Sequence, residues 1–458
     1  MKVSSPSEQG VAPQGIAGFI DALEADPAIE PQGLVIHRHG RRIVEGHWAP
    51  HDGTKRLVYS LSKTFTGTAL GLLLGEGKLS LDDLVSDHLP ELFDDDTPDA
   101  TRRMKIRHIA SMASGHDHET MLEAAKLDRK DPVRGFLHIP PEAEPGTLFM
   151  YNQPPVLALA TILQRLAGSR MTDYLRPRVL EPLGITELSW SQHRPGIDLG
   201  YSGVHTNVDA VARLGQLYLD DGVWDGNRVL PEGWVATAAS VQMENPAREE
   251  PDWRCGYGFQ LWMQRHGYRG DGAFGQYMIV LPEEDAVVAL FSCTENMQVI
   301  LDMLWDNLLP AMTDDRAAPT AEDAALGARL AHLAIPTVAQ RTNGDAPDLA
   351  PMTFTPGTVG ARSQRTVTSI DVAGDRLTIH EGDDVIEMPL TVDWTVVGSR
   401  ASNAARLVDG RVGVDLSLLE TPHRLEIALD PSTATFVTRW PHLPLASDGL
   451  VGMRAPTT

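Results

Sequence analysis

The chain has 458 residues, 42% hydrophobic and 22% charged, a balance that suits a globular protein of two or three domains with a large core. Its 62 acidic residues against 39 basic ones leave a net charge of −23, which argues against nucleic acid or an anionic membrane as partner. The opening stretch MKVSSPSEQGVAPQG lacks the apolar core of a signal peptide, and no later run is long enough to span a bilayer. The expectation is a cytoplasmic protein. Two cysteines, Cys255 and Cys293, allow at most one disulfide and read as two free, buried thiols.

Residues 34–48, LVIHRHGRRIVEGHW, alternate apolar and polar positions about His39-Gly40 and predict a β-hairpin. Val58–Gly75, VYSLSKTFTGTALGLLLG, follows. Leu61, Phe65, Ala69, Leu72 and Leu73 recur at helical spacing, and Gly75 and Gly77 close the run, so a buried helix is expected from about Leu61 to Leu74. Ser60 and Lys63 stand three apart at its start, so their side chains share one face with Cβ atoms roughly 5–6 Å apart. The unpaired N–H groups of a first turn and the positive end of the helix dipole disfavour a charged amine, and partial burial adds to this. A neutral Lys63 could then take the Ser60 proton, whereas an N-capping serine beside a solvated lysine would do nothing of the kind.

Ile106–Met112 reads as a short helix closed by Gly115. His116-Asp117-His118-Glu119 has donors suited to zinc or manganese, but no complementary cluster stands at ligand spacing, so a polar loop is expected there and no metal. In PGTLFMYNQPPVLALATILQRLAG, residues 145–168, a turn leads through Tyr151-Asn152-Gln153 into an amphipathic helix. A phenol near a protonated amine would have its pKa lowered and could exchange protons with a serine hydroxyl, and Gln153 could donate to a substrate carbonyl. Residues 201–235 read as a loop, a helix capped by Thr206 or Asn207, and a glycine-rich turn with no chemistry assigned. In Gly270-Asp271-Gly272-Ala273-Phe274-Gly275-Gln276-Tyr277 a glycine pair on an edge strand would let a substrate backbone come close, and two strand-like runs follow in MIVLPEEDAVVALFS.

From about Asp314 a small amphipathic helix and the polar linker TNGDAPDLAP lead to residues 352–458. There TVTSIDV, DRLTIHE, DVIEMPL, GVDLSLL, RLEIALD and TATFVTRW alternate between turn residues, predicting an antiparallel sheet or small barrel with no recognisable catalytic arrangement. The expected division is 1–313, a linker at 314–351, and a separately folding β unit at 352–458 that is dispensable for the chemistry.

Ser60-x-x-Lys63, Tyr151-x-Gln153 and Gly270-Asp271-Gly272, in that order, resemble the three motifs of the serine β-lactamase and penicillin-binding-protein superfamily over roughly residues 15–310, closest to its class C esterases and D-amino-acid peptidases. The resemblance implies an α+β fold, an antiparallel sheet flanked by helices with a helical lobe, and no cofactor. It implies Ser60 as nucleophile, Lys63 and Tyr151 as proton-transfer groups, Gln153, Asn152, Asp271, Gly272 and Ala273 as substrate-binding positions, and an oxyanion hole from the Ser60 and Ala273 N–H groups. Two departures stand out. Gln153 replaces the usual asparagine, and Gly270 stands where relatives carry lysine or histidine, which argues against β-lactam hydrolysis.

The expected activity is acyl-enzyme hydrolysis of a small ester or amide. D-Amino-acid peptidase, amidase or acyltransferase activity of the same fold is the alternative, followed by β-lactamase activity or a non-catalytic binding module. The partner is a small-molecule or short-peptide substrate, and a homo-oligomer remains open. Arg269 and His266 are expected at the surface. Unless Arg269 neutralises it, Asp271 would disfavour anionic acyl groups, since like charges about 5 Å apart at an effective dielectric near 20 repel by roughly 3 kcal/mol.

Overall fold

In the computed structural model, which describes residues 1–446 and 449–456, strands Glu30–Arg38 and Arg41–His47 pair antiparallel around His39 and Gly40. Both turn residues have positive φ, 49° and 66°, as a two-residue hairpin matching the right-handed strand twist requires. This hairpin belongs to a seven-stranded sheet that continues through Ala286–Cys293, Gln276–Leu281 and Tyr268–Gly272 to Trp262–Met263 at its edge. All pairings are antiparallel except the short Lys2–Val3 strand, which runs parallel to Arg41–His47.

Alternation along Gln276–Leu281 shows why the sheet is buried on both faces. Met278 and Val280 join the cluster that holds Phe65 and Leu73, while Tyr277, Ile279 and Leu281 join the one that holds Phe19, Ile20, Leu301 and Leu308. Side chains of successive strand residues point to opposite faces, so one apolar run serves two cores. Helix Pro13–Ala25 covers one face; helices Ser62–Gly75, Gln153–Ala167 and Val208–Leu219 build the layer on the other.

The helix expected from Leu61 to Leu74 is Ser62–Gly75, entered through a 3-10 turn at Tyr59–Leu61. Every residue from Ser62 to Leu73 is buried, so it is a core helix rather than a surface one. Phe65 is fully enclosed and meets Trp190 edge-on at 6.3 Å; truncating such a residue to alanine costs about 3–5 kcal/mol. Ile106–Ala110 is shorter than expected, and Asn207 caps Val208–Leu219 by accepting from the Ala210 N–H at 2.8 Å.

Beyond helix Ala321–Leu330 and a second short helix at Val338–Thr342, nine strands between Met352 and Arg439 form one sheet. Strand Arg400–Arg406 passes close to the end of edge strand Asp384–Pro389, where the Ala404 N–H donates to the Thr391 carbonyl at 2.7 Å. Six strands match the expected runs, whereas Met352–Pro356, Thr395–Val397 and Arg400–Arg406 were not signalled by the sequence. Arg400–Arg406, RASNAAR, buries small and polar residues: Ser402 donates to the Pro389 carbonyl and Asn403 accepts from the Val338 N–H. Hydropathy does not alternate there because small and polar residues fill the buried positions, with Ser402 Oγ and Asn403 Oδ1 hydrogen-bonded to neighbouring backbone.

The β unit is joined to the rest of the molecule by its Leu419–His423 turn. The Leu57 N–H donates to the Glu420 carbonyl at 2.9 Å, Gln32 donates to the Pro422 carbonyl at 2.8 Å, and Arg424 pairs with Glu30 at 2.7 Å. Both cysteines are free; Cys293 is buried and Cys255, expected to be so, is partly exposed.

Candidate active site

Ser60 sits in the 3-10 turn, partly exposed, with Lys63 one turn on and only 1% exposed. Lys63 Nζ lies 3.1 Å from Ser60 Oγ, 2.8 Å from Gln153 Oε1 and 2.8 Å from the Tyr201 carbonyl. A neutral amine has two N–H donors and one lone pair. Two of the three neighbours, Gln153 Oε1 and the Tyr201 carbonyl, can only accept, so they take both hydrogens of the neutral form and leave its lone pair for the Ser60 hydroxyl. Burial pulls the Lys63 pKa down from 10.5 to about 7, with Asp271 and Glu119 acting weakly in the opposite direction. The sequence expectation of a neutral, desolvated lysine therefore has its geometry.

The helix holds the Tyr201 segment in place beside Lys63. Thr66 donates to the Gly200 carbonyl at 2.7 Å, which ties the Tyr201 loop to the helix. Ser62, between the two motif residues and fully buried, donates to the Tyr59 carbonyl at 2.6 Å and accepts from the Val204 N–H at 2.9 Å. Gln153 opens helix Gln153–Ala167, and its N–H donates to exposed Glu119.

Tyr151 lies beside Ser60, and its ring centroid lies 4.8 Å from Lys63 Nζ. The expected lowering of its pKa is not found: burial pushes the phenol well above its ordinary value, Asp271 adds to this, and nearby Ser60 and Arg269 oppose it only in part. Tyr151 therefore stays a phenol, a donor rather than a base. Trp262 stacks on it at 5.4 Å and 18°, a support that sequence reasoning missed.

Asn152, expected to bind substrate, has an internal partner for its oxygen and, among the described residues, none for its side-chain nitrogen. It is fully buried and its side-chain oxygen accepts from both the N–H and the hydroxyl of Thr120 at 3.1 Å, so it braces the 113–120 loop. Asp117, His118 and Glu142 lie together on the exposed surface of that region, with ligand atoms within 4.8 Å. Asp117 and Glu123 engage the two ring nitrogens of His118 at 2.8 and 3.3 Å.

The third motif also differs from expectation. Arg269, expected at the surface, is fully buried, pairs with Asp271 at 3.0 Å, donates to the Asp252 carbonyl at 2.9 Å and lies over Trp253 at 4.2 Å. Burial pushes the Asp271 carboxyl up and Arg269 opposes this. The arginine offsets the carboxylate, so the expected bias against anionic acyl groups loses its source. His266 is partly buried against Trp305.

Gly270 and Gly272 approach the Ser60 turn and its helix closely on the side where a Cβ would stand. A Cβ at Gly270 would lie 2.2 Å from Thr64 Oγ1, and one at Gly272 would lie 2.0 Å from the Val58 carbonyl oxygen and 3.1 Å from the Leu61 nitrogen. The glycines let strand Tyr268–Gly272 rest on the Ser60 turn, which brings partly exposed Ala273 beside it. A cavity of about 830 Å³ bordered by Trp48, Arg329, Arg341 and Arg424 holds none of these residues.

A serine–lysine pair heading a core helix, laid against strand Tyr268–Gly272 of a mainly antiparallel sheet, defines a β-lactamase/transpeptidase-like fold. The chain belongs to the Beta-lactamase family, whose profile matches residues 17–309, and stands among the hydrolases of that family. It is similar to 6-aminohexanoate-dimer hydrolase of Paenarthrobacter ureafaciens, 25% identical over 54% of this chain and 67% of that protein. It is also similar to penicillin-binding protein 4 of Amycolatopsis lactamdurans, 27% identical over 51% of this chain and 70% of that one. Among solved structures, a β-lactamase-like protein from Bacteroides dorei superposes with a TM-score of 0.54 at 14% identity, covering 65% of this chain and 99% of that one. EstCE1, described as a hydrolase with promiscuous acyltransferase activity, superposes at 0.51 and 19% identity, covering 66% and 100%. Among the described residues no helix is long and apolar enough to cross a membrane.

Proposed function

We propose that this chain is a serine hydrolase that cleaves a small ester or amide through an acyl-enzyme on Ser60. The observation that carries the reading is the buried Lys63 amine, 3.1 Å from Ser60 Oγ and held near neutrality in charge, with a pKa of about 7. Lys63 takes the hydroxyl proton as Oγ attacks the acyl carbon. The N–H groups of Ser60 and Ala273 receive the oxyanion, worth roughly 3–4 kcal/mol per donor in comparable sites. Tyr151, a phenol beside Ser60, donates to the departing oxygen or nitrogen and recovers its proton through Lys63. Water then cleaves the ester between Ser60 and the acyl group.

The similarity to 6-aminohexanoate-dimer hydrolase supports a small amide within this substrate class. An intact Ser60, Lys63 and Tyr151 weighs against a binding module without turnover. The test is exposure to a fluorophosphonate probe followed by peptide mass mapping, with a screen of p-nitrophenyl esters and anilides. A single adduct on Ser60 and turnover of at least one substrate class are expected; an unlabelled Ser60 would overturn the reading.

A further inference from the structure

Tyr59, immediately before the nucleophile, has φ +48°, a left-handed conformation that bulky residues rarely adopt and that persists only where surroundings enforce it. The group that faces its side chain comes from the far end of the chain. The Tyr59 hydroxyl lies 2.6 Å from His423 Nε2, and both residues are buried. Burial pulls the imidazole down to about 3, so it is neutral and accepts the phenol's hydrogen; Cys293 Sγ stands 3.8 Å from Nδ1. The imidazole also meets Phe274 edge-on at 4.6 Å, and Phe274 packs on Tyr59 at 5.3 Å. Phe274 has φ +68° and directly follows Ala273.

One imidazole thus touches both residues that flank the reacting groups, Tyr59 before Ser60 and Phe274 after Ala273. The backbone around it is pinned independently by the bonds from Leu57 to Glu420 and from Gln32 to Pro422.

We infer that His423 is a positioning residue of the Ser60 site, and that the C-terminal β unit, which the sequence suggested was dispensable, is part of the catalytic apparatus. By holding Tyr59 left-handed and Phe274 against it, His423 sets Ser60 Oγ toward Lys63 and the Ala273 N–H toward the oxyanion. This inference rests on the serine-hydrolase reading above. Misplacing a reacting group by about 1 Å costs roughly a hundredfold in rate, whereas a purely structural contact would alter only the fraction of folded molecules.

The test compares wild type, His423→Ala, His423→Gln and Tyr59→Phe as full-length chains. The readouts are the rate of Ser60 labelling by a fluorophosphonate and kcat and KM per titrated active site. His423→Ala and Tyr59→Phe are each expected to lower kcat and the labelling rate about 10- to 100-fold with KM unchanged, and their double variant to be little worse than either. Glutamine, whose side-chain oxygen can accept from the phenol, recovers most of the rate. Tyr59→Phe removes one oxygen and carries the test if His423→Ala does not fold. Wild-type labelling together with unchanged rates per active site in Tyr59→Phe and any folded His423 variant overturns this inference alone. A wild type that does not label at Ser60 overturns the hydrolase reading and this inference with it.

Discussion

Replacing Lys63 with methionine removes the buried amine while keeping the volume of its stem. From 10.5 to about 7, at about 1.36 kcal/mol per pH unit, the native state disfavours the charged lysine by roughly 5 kcal/mol. At pH 7 about half of the molecules then carry a neutral Lys63, against roughly one in 3,000 for an ordinary lysine. Ser60 labelling should therefore rise with pH to a plateau with its midpoint near 7, and Lys63→Met should be slower by about 10²–10⁴ with that limb gone. Stability follows from the same shift. Below pH 7 both folded and unfolded chains hold the proton and the cost is constant. Between about 7 and 10.5 only the unfolded chain binds it, so wild type gains stability relative to Lys63→Met as pH rises, by roughly 2–3 kcal/mol over two pH units. Denaturant unfolding and probe labelling at pH 6, 7.5 and 9 measure both. A labelling midpoint near 10, or stability curves parallel across this range, would refute the reasoning that Lys63 is held neutral by burial.

Two further expectations concern the third motif. Gly272→Ala should abolish Ser60 labelling, because its Cβ meets the Val58 backbone at 2.0 Å, whereas Gly270→Ala meets side-chain atoms of Thr64 and Leu61 and should cost only about 1–3 kcal/mol in thermal stability; wild-type labelling in Gly272→Ala would contradict this. Arg269→Gln leaves Asp271 buried without its cation and should destabilise by about 3–5 kcal/mol near neutral pH. The missing cation raises the folded-state pKa of Asp271 further, so the loss should shrink as pH falls and the carboxyl protonates, a trend that unfolding at pH 5 and pH 8 would show or exclude.

Ser60 and Lys63 were legible in the sequence because a helix start is a local feature, and its apolar spacing carries the same message as the fold. The hairpin at residues 34–48 was legible for the same reason, since strand alternation and the His39-Gly40 turn agree. What escaped depends on contacts between distant segments. The Tyr201 carbonyl has no side-chain signature, and the sequence named Arg269 as a counter-ion for Asp271 without showing that packing from other segments buries both. Gly270 and Gly272 signalled a close approach, but not that Thr64 and Val58 are what they approach. His423 lies 364 residues from Tyr59, in a unit whose own strands gave no hint of chemistry. The lowered pKa expected for Tyr151 took a nearby cation into account but not its burial, which with Asp271 pushes the phenol up.

The central claim, an acyl-enzyme on Ser60, is tested most directly by acid-quenching the full-length protein during turnover of a p-nitrophenyl ester and mapping the modified peptide by mass spectrometry. The expected result is one acyl group on Ser60, absent from Ser60→Ala, which should remain folded because only a partly exposed hydroxyl is removed. An acyl group on another residue, or turnover undiminished in Ser60→Ala, would contradict it.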